Sequence, residues 1–218
     1  EGLHRFVDPP DGQAYTYSQF EVPDARRVYT TFEQPDLKST FTLTVKAPKG
    51  WKVFSNAPTP APEEDGEAWV YRFATTEVMS TYITAIVAGP YEGTTATLTS
   101  SDGRTIDLGV YARASIVEHL DADEIIEITR QGFEFFEGAY GIPYPFTKYD
   151  QIFVPEYNAG AMENAGCVTF RDAYVFRTRP TEAQMEARAN TILHELAHMW
   201  FGDLVTMKWW NDLWLNES

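Results

Sequence analysis

The chain has 218 residues, 44% of them hydrophobic and 15% aromatic. That is too apolar for a disordered polymer, and at roughly 150 residues per domain it allows one large domain or two modest ones. Seventeen Lys plus Arg against 32 Asp plus Glu leave a net charge of −15, which excludes a nucleic-acid binder relying on a basic face. No run of apolar residues is long enough to span a bilayer and no basic, apolar leader opens the sequence; the expectation is a soluble, cytoplasmic protein with no membrane segment.

From the N-terminus, residues 41–45, 69–73 and 81–87 alternate β-prone and polar side chains between turn residues, the pattern of an antiparallel β-sandwich or sheet filling residues 1–110. The acidic, Pro-rich stretch 58–66 reads as an exposed loop. After Tyr111 the period changes. Asp121 or Asp123 can cap a helix carrying Ile125, Ile128, Phe135 and Phe136, with Gly141 and Pro143 as stops. A second helix starts at a capping box, Thr181 with Gln184, continues through Met185, Ala189, Ile192, Leu193 and Leu196 at helical spacing, and stops at Gly202. Trp200, Trp209, Trp210 and Trp214 read as packing residues. Arg26, Arg27 and Lys208 read as solvated or ion-paired charges.

Cys167 is the single cysteine, so an intrachain disulfide and a thiolate cluster are both excluded, and a metal must be held by His and carboxylates. The second helix supplies such a set in His194-Glu195-Leu196-Ala197-His198. Two His four residues apart share one helix face and can reach one Zn²⁺, while Glu195, about 100° round the axis, can approach a water there without ligating. A catalytic zinc takes a third protein ligand. Glu217 is the candidate, brought back if Asn211 or Asp212 caps a second helical segment containing it.

This motif, with Glu217 behind it, resembles the zinc aminopeptidases of the aminopeptidase N type. Gly160-Ala161-Met162-Glu163-Asn164 matches that family's exopeptidase motif in all five positions. Further matches lie at residues 18–21, 25–26, 32–35 and 79–82, with the acidic pair usual in the family altered at Glu33-Gln34. The resemblance implies an α+β chain: the later, saddle-like β-sandwich part of an N-terminal β domain (1–110), then the first half of a thermolysin-like catalytic domain (111–218). It implies one Zn²⁺ per chain on His194, His198 and Glu217, and peptide substrates with a free N-terminus. Glu163, joined by Glu21 and Gln19, would hold the substrate's α-ammonium. Gly160 and Ala161, small enough to let a substrate backbone approach, would pair with it as an added strand, with Met162 and Asn164 completing the motif. Glu195 would take a proton from water and return it to the leaving amine. The resemblance further implies that the C-terminal remainder of the protein is missing, along with an oxyanion-stabilising tyrosine beyond Ser218, and that the chain alone is weakly active. Two other readings stand beside it: a related zinc epoxide hydrolase with aminopeptidase activity, against which Gly160-Ala161-Met162 argues, and a non-catalytic β-rich binding module.

Overall fold

The computed structural model describes residues 2–218. Gly2–Val7 (β1) and Ala14–Gln19 (β2) form an antiparallel hairpin in register from Gly2↔Gln19 to Val7↔Ala14. Thr44–Pro48 (β3), Lys52–Ser55 (β4), Glu63–Asp65 (β5), Ala68–Arg72 (β6) and Ile86–Gly89 (β7) follow. They assemble into two antiparallel sheets, of order β1-β2-β7-β4 and β3-β6-β5. The alternating run 69–73 is a strand as its pattern predicts, whereas 41–45 becomes regular only from Thr44. Two expectations are corrected. The stretch 58–66 is not wholly loop: Glu63–Asp65 pairs with β6 across a turn at Gly66, whose φ of 60° suits glycine. The run 81–87 opens as a short 3₁₀ turn, Thr81–Ile83, before β7. There every residue from Thr81 to Ala85 is buried, so no solvent face exists for an alternating strand, and Thr84 closes the turn by donating from N and Oγ1 to Thr81 O.

Tyr91–Thr99 (β8) and Thr105–Arg113 (β9) lead into the second layer, through the helix Ala122–Tyr140 (α1) to Lys148–Val154 (β10), Ala161–Met162 (β11), Cys167–Arg171 (β12) and the helix Glu182–His198 (α2). The five strands make one mixed sheet, β11-β12-β10-β9-β8, parallel at β12/β10 and β10/β9 and antiparallel at both edges. A division after residue 110 falls inside β9; the change of sheet comes earlier, between Gly89 and Tyr91. One continuous apolar core runs from Tyr15 and Tyr17 through the mixed sheet to Ile192, Leu196 and Trp200.

Both helices form where predicted. Asp121 precedes α1, and Gly141 ends it in the left-handed region at φ 66°. Its buried face is Ile125, Ile126, Thr129, Gly132, Phe133 and Glu137, so Phe133 occupies the inward position and Phe135, expected there, is 67% exposed. The Thr181–Gln184 capping box opens α2, a feature contributing about 1 kcal/mol. Met185 is exposed, and Arg188 is the side chain buried on that turn, reaching Glu124 at 2.6 Å and Asp121 at 3.1 Å and stacking on Phe176. Gly132 lets α2 close in on α1: a Cβ there would lie 2.7 Å from Leu193 and Leu196. Among the described residues no helix is long and apolar enough to cross a membrane.

Candidate metal centre

Regular helix geometry places His194 and His198 one turn apart on α2, their rings 4.4 Å apart and nearly perpendicular. The two Nε2 atoms face each other at 2.9 Å. Glu217 Oε2 lies 3.1 Å from His194 Nε2, and Oε1 lies 3.9 Å from His198 Nε2. The route that brings Glu217 there differs from expectation. After α2 the chain reverses at Gly202 (φ 128°), where Gly202 N donates to Val205 O and Val205 N to Trp200 O. It then enters a 3₁₀ helix, Trp210–Asn216, with Trp209 before it and no side-chain cap, so neither Asn211 nor Asp212 caps it and Glu217 follows its end rather than lying inside it. Trp210 anchors this segment by donating from Nε1 to Glu33 O at 2.9 Å and meeting Tyr82 edge-on. Of the tryptophans expected to pack, Trp200 is buried, but Trp209 and Trp214 are 52% and 61% exposed, because the tight 3₁₀ turn fully buries only Asn216.

The donor set fits a divalent ion. Tetrahedral ligands at 2.0–2.1 Å from a zinc lie about 3.3 Å apart, and the three separations, 2.9, 3.1 and 3.9 Å, bracket that value. His198 Nδ1 is 3.2 Å from Phe201 O, an acceptor only. Nδ1 therefore carries the proton and the Nε2 lone pair faces the other donors. Burial holds both imidazoles below the usual histidine range, with the His198 charge adding to the effect at His194 and Glu217 opposing it at both. They are neutral, as ligation requires.

Glu195, 4% exposed, has an Oε2 atom with no hydrogen-bond partner and lies with His198 and Glu163 in a cluster whose ligating atoms are all within 4.8 Å. Glu21, Glu163 and Glu217 form a second such carboxylate cluster. Thus Glu21, just past the hairpin in the β-rich part, is brought to Glu163 and Glu217. Burial pushes Glu195 well above the usual carboxylate range, and the charges of Glu163, Glu217 and Glu21 raise it further. Glu163 rises to about 7 and Glu21 to about 8, again by burial first. Desolvation first, and then the neighbouring carboxylates, disfavour the charged forms of Glu21, Glu163 and Glu195.

The segment 160–164 lies beside them. Ala161 and Met162 form β11, the edge of the mixed sheet, paired with β12 on one side only. Gly160 O accepts from Arg171 N at 3.0 Å. Met162 and Asn164 are buried: Met162 Sδ accepts from Gln19 Nε2 at 3.1 Å, and Asn164 Nδ2 points inward to Thr169 Oγ1 at 3.3 Å. They support the edge from beneath. Gly166 sits at φ 63°, where a Cβ would lie 2.8 Å from Lys148 O. Asn56 in the β-rich part donates to Ala165 O and Ile83 O and accepts from Ala85 N, tying the two parts together at this turn.

Sequence reasoning missed Tyr157 and Asp203. Tyr157 donates to Gln19 Oε1 and accepts from Thr169 Oγ1, with Tyr17 edge-on against its ring, so it fixes which way the Gln19 amide points. Nothing in its local sequence marks it. Asp203 is buried with both carboxylate oxygens unpartnered, and burial pushes it well above the usual range, as does the charge of Glu163. In the sequence, next to Gly202, it reads only as part of a helix stop.

The profile of the peptidase M1 N-terminal domain matches residues 2–83 and that of the peptidase family M1 domain matches residues 124–218, between them most of the chain. The chain belongs to peptidase family M1. Aminopeptidase N of Streptomyces lividans is 63% identical over 218 residues, all of this chain and 25% of that protein. The tricorn protease-interacting factor F2 of Thermoplasma acidophilum is 41% identical over 202 residues, covering 92% of this chain and 24% of that protein. Human aminopeptidase N is 38% identical over 209 residues, covering 92% and 21%. The M1 chain described here therefore spans about a quarter of the length of these relatives.

Proposed function

We propose that this M1 chain carries the zinc-binding and N-terminus-binding part of a metallo-aminopeptidase, one that removes N-terminal residues from peptides with a free α-ammonium. The observation that carries the reading is the convergence of His194, His198 and Glu217 on one point, with Glu195 and an uncompensated carboxylate cluster alongside. In this reading one Zn²⁺ per chain is held by His194 Nε2, His198 Nε2 and the Glu217 carboxylate. When bound, zinc supplies Lewis-acid chemistry, making water acidic and carbonyls electrophilic.

The remaining work falls to the chain's own groups. The open side of β11 offers backbone N–H and C=O groups to an extended peptide, which docks as a sixth strand. Glu163 and Glu21 take the α-ammonium by charge-assisted hydrogen bonds, so only a chain end fits. Gln19, held by Tyr157, borders that pocket. Glu195 accepts a proton from the attacking water and passes it to the departing amine; its dry surroundings suit a carboxylate that must be base and then acid. The division into an N-terminal β unit and a catalytic part belongs to this reading, supported by the change of sheet between Gly89 and Tyr91.

The test is metal analysis with turnover of an amino-acid anilide by the intact protein carrying this chain. One zinc per chain, activity lost to chelator and regained with zinc, and no cleavage of an N-acetylated substrate are expected. Activity indifferent to chelator, or equal on blocked and free N-termini, overturns the reading.

A further inference from the structure

The described residues contain one acidic cluster that excludes the histidines. Ligating oxygens of Glu21, Glu163 and Glu217 all lie within 4.8 Å of one another. Glu163 is 4% exposed and its Oε1 has no hydrogen-bond partner, a costly state for a buried acceptor unless something binds there. Among the described residues, the ion pairs that reach this cluster are those of the two imidazoles with Glu217; no Lys or Arg pairs with Glu21, Glu163 or Glu195. With Glu195 the site holds four carboxylates, so a dication on the histidine side leaves a charge of about −2 when all are ionised.

We propose that Glu21, Glu163 and Glu217 form a second divalent-cation site, sharing Glu217 with the first, which takes a hard ion such as Mn²⁺ and competes with the α-ammonium of a peptide. The inference rests on the reading of the first site as a zinc site.

The chemistry separates the two ions. The first site offers two imidazoles and a carboxylate, a borderline set suited to zinc. The second offers only oxygens, which suit Mn²⁺, Mg²⁺ or Ca²⁺. Donors on opposite sides of a six-coordinate ion at about 2.1–2.4 Å are about 4.2–4.8 Å apart, so one ion reaches all three carboxylates. Paired metal sites hold their ions about 3.5–4 Å apart, and Glu217 is the group common to the histidine cluster and the carboxylate cluster. A substrate ammonium and the second ion need the same Glu21 and Glu163 oxygens, so each excludes the other. Hard cations in excess would thereby throttle the enzyme at its specificity pocket, with the zinc still in place.

The experiment titrates the zinc-loaded intact protein with Mn²⁺, counting free Mn²⁺ by electron paramagnetic resonance and zinc by elemental analysis. One bound Mn²⁺ per chain is expected. Glu21→Gln should weaken Mn²⁺ binding about tenfold or more, through loss of one ligand charge, while zinc stays at one per chain, which also reports an intact fold. Alaninamide should displace the Mn²⁺ and N-acetyl-alaninamide should not. Zinc at one per chain with no bound Mn²⁺, an unchanged Mn²⁺ affinity in Glu21→Gln, or no displacement by alaninamide would overturn the second site and leave the first standing. Absence of zinc from the parent protein overturns both.

Discussion

Glu137 on α1 and Glu195 on α2 are buried to nearly the same degree, 8% and 4% exposed, on helices that pack against each other. Their surroundings treat them in opposite ways. Glu137 accepts from Ser100 Oγ, Ser101 N and Tyr144 N, so both oxygens are engaged, and the charge locks the end of β8 and the segment after α1 onto the helix. Glu195 has an oxygen with no partner, and its near neighbours are other carboxylates and His198. Burial alone therefore does not mark a functional acid. A carboxylate whose donors are all supplied by the fold is cement, and one left without donors, in company that raises its pKa, awaits a ligand or a proton.

The contrast can be broken most severely at the histidines. His198→Ala removes a bare, correctly oriented Nε2 and should abolish zinc retention and with it turnover; elemental analysis after gel filtration checks this, and full zinc occupancy in the variant would remove the basis of the site. Glu195→Gln keeps shape and burial but cannot shuttle a proton, so zinc should remain while turnover falls about 10²–10⁴-fold. Glu137→Gln should do the reverse. Its amide would face backbone donors with too few acceptors, costing about 1–3 kcal/mol of stability and lowering the melting temperature, with KM unchanged. Equal losses of stability in the two variants would erase the distinction. Tyr157→Phe frees the Gln19 amide without touching a carboxylate, and should raise KM for free-N-terminus substrates several-fold while kcat holds.

The smallest expected effect is on Cys167, where burial pushes the thiol up to about 12. A raised acid is neutral in the fold while the unfolded chain ionises, so its contribution is full below about pH 8.5 and is lost as the pH rises towards 12. Cys167→Ala should slightly flatten the fall in stability between pH 8.5 and 11, followed by thermal melts, and Cys167 should resist thiol reagents until the chain unfolds. Prompt labelling of the native protein would contradict the burial.

Much of this site was legible in the chain because its decisive spacings are local. His194 and His198 need only a helix, and α2 is announced by its capping box and by Ile192 and Leu196 at helical period. Segment 160–164 was legible as a matched motif, and its strand-edge placement needed only small residues. What was illegible needed distant partners. Phe133 and Phe135 are two residues apart with the same hydrophobicity, and only the position of β10 and of Trp200 decides which turns inward. Run 81–87 reads as a strand, yet Tyr82 is needed under Trp210 and Asn216, and the 3₁₀ turn puts it there. Arg188 and Asp203 are ionisable side chains that local sequence assigns to the surface and the fold buries.

By itself the sequence determined the two helices, the imidazole pair and the α+β class, since each follows from backbone period or from residue chemistry within a few turns, and it offered Glu217 as the candidate third ligand. The resemblance implied that Glu21, from the β-rich part, joins Glu163; only the tertiary structure decided that Glu217 shares their pocket, that a 3₁₀ turn rather than an α-helix delivers Glu217, and that Glu195 lacks a partner while Glu137 has three. Those outcomes depend on how separate segments desolvate one another, and desolvation is a property of the packed chain, set by neighbours that lie up to some two hundred residues away in sequence.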